Sequence, residues 1–186
     1  MADALRGRTV VLGVSGSIAA YKAAVIVRRL RERGADVFVV MTPGAGRFVT
    51  PLTFRALSQQ PVVSDMWAGD LPWEEPHVAL GERADVLLVA PATADMIARL
   101  AAGLADDPVS ATALASRAPL VVAPAMSDAM AASPAVQENL ARLRARGAHV
   151  IGPERGRLAS GQIGLGRMTE PEAIVEAVAG LLAAAR

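Results

Sequence analysis

Five short runs rich in Val, Leu, Ile and Ala stand along the chain, at 9–14, 36–41, 86–90, 120–123 and 149–151. Apolar and polar residues do not alternate in them, so each is expected to be buried on both faces, as strands of a parallel sheet covered by helices are. Between the runs the apolar spacing turns helical, over 18–31, 51–57, 94–102, 109–116, 134–146 and 171–184. This alternation predicts an α/β fold with a doubly wound parallel sheet. A length of 186 residues fits one domain over 1–186, whose core needs no disulfide or structural metal. The glycine-rich stretch 152–166 carries neither pattern. It is too long for a tight turn and reads as a functional flap or a disordered segment.

Composition removes whole classes of chemistry. With no cysteine the chain has no disulfide, thiolate metal site or thiol nucleophile, and no metal is expected. Nineteen basic residues against 18 acidic ones leave a net charge of +1, which offers nucleic acid or an acidic membrane no hold. No apolar run reaches membrane-spanning length and residues 1–8 are no signal peptide, so a cytoplasmic protein is expected. Hydrophobic residues make up 53%, much of it alanine, which suggests that part of the surface is buried between subunits.

The first strand runs into Gly13-Val14-Ser15-Gly16-Ser17-Ile18-Ala19. Small residues at a strand end let a ligand approach the backbone, and the N-terminus of the following helix is a ready phosphate site. The spacing departs from G-x-G-x-x-G, since Ala19 stands at the third glycine. Met41-Thr42-Pro43 follows the second strand where an acidic residue would hold a ribose. Both features disfavour NAD and favour a mononucleotide; a tight turn with no ligand remains open on this loop alone.

Further motifs follow in order: Pro76-His77-Val78; Ala90-Pro91-Ala92-Thr93-Ala94-Asp95; Pro124-Ala125-Met126 with Met130; and Leu158-Ala159-Ser160-Gly161-Gln162-Ile163-Gly164-Leu165-Gly166-Arg167-Met168. Together with Gly16–Lys22 they resemble the homo-oligomeric flavin-containing cysteine decarboxylases. The last segment resembles the substrate flap of phosphopantothenoylcysteine decarboxylase. The resemblance implies a flavodoxin-like (Rossmann-like) sheet, assembly into a homo-trimer or a dodecamer of four trimers, and FMN between subunits. It implies that Gly16, Ser17, Ile18, Thr42, Phe48, Pro91, Ala92, Thr93, Asp95, Ser110, Ala125 and Met126 contact the flavin. It further implies that Ser127, Ser160, Gly161, Arg167 and Met168 meet the substrate and that His77 is catalytic.

The reaction so implied oxidises a cysteine thiol at the expense of FMN; the resulting thioaldehyde is an electron sink, carbon dioxide leaves, and an enethiolate remains. An imidazole titrates near neutral pH and suits the thiol proton. A histidine that merely packs is the other reading of His77, and His149, at a strand start, reads as structural. Met126 and Met130, four apart, also suit one packed helical face.

Two departures bear on the outcome. Ser127 replaces the asparagine that the family uses for the substrate carboxylate, leaving a single donor. Ser160 replaces the flap cysteine that protonates the enethiolate; a thiol has a pKa of about 8.5 and a serine hydroxyl is far less acidic. The product is then expected to leave as the aminoenethiol, as in decarboxylation of the C-terminal cysteine of a ribosomally made peptide during aminovinyl-cysteine biosynthesis. The alternative is a phosphopantothenoylcysteine decarboxylase of coenzyme A biosynthesis in which Ser160 is a harmless variant. A third reading is a non-catalytic flavin-binding regulator; such relatives carry acidic extensions, which this chain lacks.

Overall fold

Six strands form the central sheet of the computed structural model, which describes residues 3–69 and 71–184. They are β1 (Thr9–Val14), β2 (Asp36–Met41), β3 (Val62–Val63), β4 (Val86–Ala92), β5 (Leu120–Pro124) and β6 (His149–Val150). All neighbours pair in parallel, in the order β3-β2-β1-β4-β5-β6. The expected doubly wound sheet is therefore present, with its direction reversing between β1 and β4. Strand β3 had no sequence signal, because two residues at a sheet edge are too few for a pattern.

Alternate strand residues point to opposite faces, and two separate cores follow. Val10, Leu12 and Val14 join Val37, Val39, Leu88 and Ala90 on one face, under α1 (Ala20–Glu32), α2 (Pro51–Ser58) and α8 (Pro171–Ala184). Val11, Val40, Leu87, Val89 and Val122 pack on the other, under α3 (Pro76–Arg83), α4 (Ala94–Ala102), α5 (Pro108–Ala115) and α7 (Pro134–Ala145). Among the described residues no helix is long and apolar enough to cross a membrane.

Two sequence expectations need correction. The stretch 152–166 was expected to lack regular structure, yet it folds into an antiparallel hairpin, β7 (Glu154–Arg157) with β8 (Ile163–Arg167). Glycine every second residue on one face hid the strand period, and those glycines let the hairpin lie close on the body. The Leu165 amide donates to Asp128 Oδ1 at 2.7 Å and the Met126 amide to the Gly166 carbonyl at 3.0 Å. Gly166 has φ +141°, and a β-carbon there would strike the Met126 carbonyl oxygen. The second correction concerns the methionine pair: Met126 precedes the short helix α6 (Asp128–Ala132) and Met130 is 45% exposed, so they share no packed helical face.

Two stability measurements test this packing. Phe54 is fully buried while Leu52, two residues earlier on α2, is 71% exposed. Phe54→Ala is expected to cost about 3–5 kcal/mol, and Leu52→Ala less than about 0.5 kcal/mol, by chemical denaturation. Gly166→Ala combines a disfavoured backbone with a clash, at about 1–3 kcal/mol. It should strip hydrogen-exchange protection from the amides of Met126 and Leu165 while leaving the amides of β1 and β4 protected.

Candidate active site

The carboxyl ends of β1 and β4 are fastened by Ser15, which is 2% exposed. Its hydroxyl donates to the Pro91 carbonyl at 2.7 Å and accepts from the Thr93 amide at 3.0 Å. At this switch point an α/β sheet opens a crevice. The turn into α1 follows, where Ser17 Oγ accepts from the Ala19 amide at 3.2 Å. Helix α1 starts with no side-chain cap and no acidic residue in its first turn. Among the described residues the amides of Gly16 and Ile18 find no protein acceptor. Free amides and the positive end of a helix together suit a phosphate. Beside them, a β-carbon on Gly16 would lie 3.0 Å from the Gly44 backbone, so glycine permits the β1 and β2 turns to close on each other. Thr42 shapes the second turn, accepting from the Ala45 amide at 3.2 Å, and Phe48 stands half exposed just after it.

Past β4, where Pro91 and Ala92 are buried, Thr93 caps α4 by accepting from the Met96 amide at 3.2 Å. Asp95 does not stand free: Arg99 donates to it at 2.9 Å and also bonds Asp106. Arg99 holds the Asp106 carboxyl below its ordinary value of 3.8. Its stabilising contribution is thus present above that value and fades as the pH falls through the lowered one. Asp107 caps α5, accepting from the amides of Val109 at 2.9 Å and Ser110 at 3.1 Å. The Ser110 hydroxyl, expected to approach the flavin, donates to Asp107 Oδ2 at 2.6 Å and is 1% exposed. Sequence reasoning overlooked Ser15 and Asp107; the small-residue run after β1 and the Asp-Pro step before α5 were the signals available.

The hairpin leans over the phosphate turn and encloses a cleft of about 610 Å³. Ser17 and Ile18 form one wall, Ala125, Met126 and Ser127 the floor, and Ser160, Arg167 and Met168 belong to the flap side. Ser127 caps α6, its oxygen accepting from the Met130 amide at 3.4 Å, which leaves its hydroxyl proton for a ligand. Ser160 and Gly161 lie exposed in the hairpin turn. At the hairpin's root Lys22, with a side chain 12% exposed, holds Glu170 at 3.1 Å.

His77 is not in this cleft. It occupies the first turn of α3, a helix without a sequence signal, started by Pro76. It lines a second cleft of about 430 Å³ with Met66, Trp67, Ala111 and Leu114. The two clefts share no lining residue. The His77 Nδ1 atom is buried with no partner among the described residues, while Trp67 is 85% and Leu114 62% exposed beside it. Within one copy of the chain, then, His77 stands apart from the expected residues that line the flap cleft, and Thr42, Phe48, Pro91 to Thr93, Asp95 and Ser110 line neither cleft.

Residues 2–183 match the family model named Flavoprotein. The coenzyme A biosynthesis bifunctional protein CoaBC of Escherichia coli (strain K12) is 49% identical over 172 residues, which are 92% of this chain and 42% of that protein. The chain thus spans about two fifths of that relative's length. Among solved structures, the FMN-dependent cysteine decarboxylase SpaF superposes with a TM-score of 0.83 at 32% identity, covering 96% of this chain and 99% of that one. A cysteine-to-serine mutant of PPC decarboxylase, complexed with pantothenoylaminoethenethiol, gives a TM-score of 0.83 at 33% identity over 95% and 98% of the two chains. A family model spanning nearly every residue, a relative at half identity and these superpositions agree: the chain belongs to the Flavoprotein family and has the fold of the FMN-dependent cysteine decarboxylases.

Proposed function

We propose that the chain is an FMN-dependent cysteine decarboxylase whose substrate is phosphopantothenoylcysteine. The observation that carries the substrate is the 49% identity to CoaBC over 92% of the chain, against 32% to SpaF. FMN fits the residues present. The uncapped α1 N-terminus and the unpaired amides of Gly16 and Ile18 suit its phosphate, and the close approach of Gly16 and Gly44 brings the β1 and β2 turns together beside it. Ser17 and Thr42 would hold that phosphate, with Pro91 to Thr93 and Met126 beside the rest of the cofactor. Bound there, FMN would supply the two-electron oxidation that lets carbon dioxide leave and would return the two electrons to the enethiolate, so that carbon dioxide alone is lost overall.

The chain's own groups divide the remaining work. Ser127, with its proton free, donates to the substrate carboxylate. The flap hairpin covers the cleft and keeps water from the reacting carbon. His77 takes the thiol proton, but from a second copy of the chain, since its cleft is separate in one copy. The exposed Trp67 and Leu114 beside it, and the alanine-rich composition, support an interface there. A homo-trimer, or a dodecamer of trimers, in the cytoplasm is the assembly this reading expects.

A second reading keeps the chemistry and changes the substrate to a peptide ending in cysteine, with release of the aminoenethiol. Ser160 favours it. A serine hydroxyl is a poor acid for an enethiolate, and the related cysteine-to-serine mutant of PPC decarboxylase is complexed with an aminoenethiol.

Mass spectrometry of the products separates the two readings. Phosphopantothenoylcysteine is expected to lose carbon dioxide alone; a peptide losing carbon dioxide plus two hydrogens, with the small substrate untouched, would reverse the assignment. The two-copy site has its own test. Gly16→Val should lose flavin and His77→Asn should keep it, each abolishing turnover alone. Coexpressed mixed oligomers should recover part of the activity, because one interface then carries an intact turn and an intact imidazole. No recovery in oligomers shown to contain both variants would contradict a shared site.

A further inference from the structure

We propose that Arg157 reads an anionic group of the substrate, its phosphate monoester. The inference rests on the phosphorylated substrate proposed above and names the residue that would select it.

Three cations line the flap cleft, Lys22, Arg157 and Arg167. Two of them are engaged. Lys22 Nζ lies 3.1 Å from Glu170 and donates to the Met168 carbonyl at 3.4 Å. Arg167 lies 3.0 Å from Glu154 and 3.4 Å from Glu170. Arg157 makes no ion pair and no side-chain hydrogen bond among the described residues. It ends β7, opposite Ile163, and is exposed at the mouth of the cleft next to the turn that bears Ser160.

The charge along the cleft is therefore uneven. Glu170 faces the cleft beside Lys22 and Arg167 and cancels their attraction for a second anion. Only the Arg157 end keeps an uncompensated positive charge. A guanidinium presents a planar fork that matches a phosphate with two parallel hydrogen bonds. A phosphate monoester carries about −1.5 to −2 charge at neutral pH, more than any group of an ordinary peptide tail. A peptide ending in cysteine has its obligatory anion, the carboxylate, at the reacting end, so Arg157 would give it no advantage.

The test uses the flavin-loaded enzyme with phosphopantothenoylcysteine and with pantothenoylcysteine, which differs only in lacking the phosphate. Arg157→Ala should raise KM for the phosphorylated substrate about tenfold more than for the other, the loss of one charged hydrogen-bonding partner. The effect should fall on KM rather than kcat, and Arg157→Lys should recover part of it. Added salt should raise the wild-type KM for the phosphorylated substrate more steeply than that of Arg157→Ala. Equal changes for both substrates, the mark of a merely structural flap residue, would overturn the inference, as would no change for either. Turnover of a cysteine-ending peptide with neither small molecule consumed would overturn the substrate reading itself, and the role of Arg157 with it.

Discussion

Burial of both faces of the parallel sheet governs everything else in this molecule. Helices cover each face, so loops can project only from the strand ends, and a ligand can enter only where the winding reverses between β1 and β4. Ser15 makes that opening rigid. Its buried hydroxyl, satisfied as donor and as acceptor, spans the two strand ends that diverge there. The turn after β1 on one side and the start of α4 on the other are thereby held at a fixed separation. Preorganised amides lose little on binding an anion, whereas floppy ones would have to be ordered first.

Around this rigid opening the protein sets movable and incomplete parts. The flap hairpin is tied to the body by the Met126 amide on the Gly166 carbonyl, by the Leu165 amide on the Asp128 carboxylate, and by the close approach of Gly164 and Gly166 to Asp128 and Met126. It takes no part in the hydrogen-bond ladder of the central sheet. The imidazole of His77 lies in another cleft, with a buried nitrogen that lacks a partner and exposed apolar side chains around it. A buried polar atom without a partner is costly, and a neighbouring copy would supply one in the assembly proposed above. Chemistry divided in this way would proceed only in the assembled protein.

Ser127 and Ser160 both stand where the fold asks little of the side chain beyond a local hydrogen bond. Ser127 keeps a helix-capping role that asparagine would also fill, so the fold tolerates the exchange while the cleft loses a donor. Ser160 sits on an exposed turn, where its oxygen accepts only from the Gln162 amide two residues on. Fold and function are under separate constraints at both positions.

The sequence by itself determined five of the six sheet strands and most covering helices, because unbroken apolar runs of strand length alternate with helical spacing; α3 and α6, eight and five residues long, went unread. It also determined the family, through ordered motifs at the strand ends. It missed β3 and the flap hairpin, where two residues or a glycine-rich face leave no period to read. Only the tertiary structure decided that the Ser110 hydroxyl bonds Asp107, that Asp95 is paired with Arg99, that Met130 faces solvent and that Arg157 alone among the cleft's cations stands uncommitted. The reason is physical: a side chain's partner is chosen by distances across the fold, and sequence spacing carries those distances only within a single helix or strand.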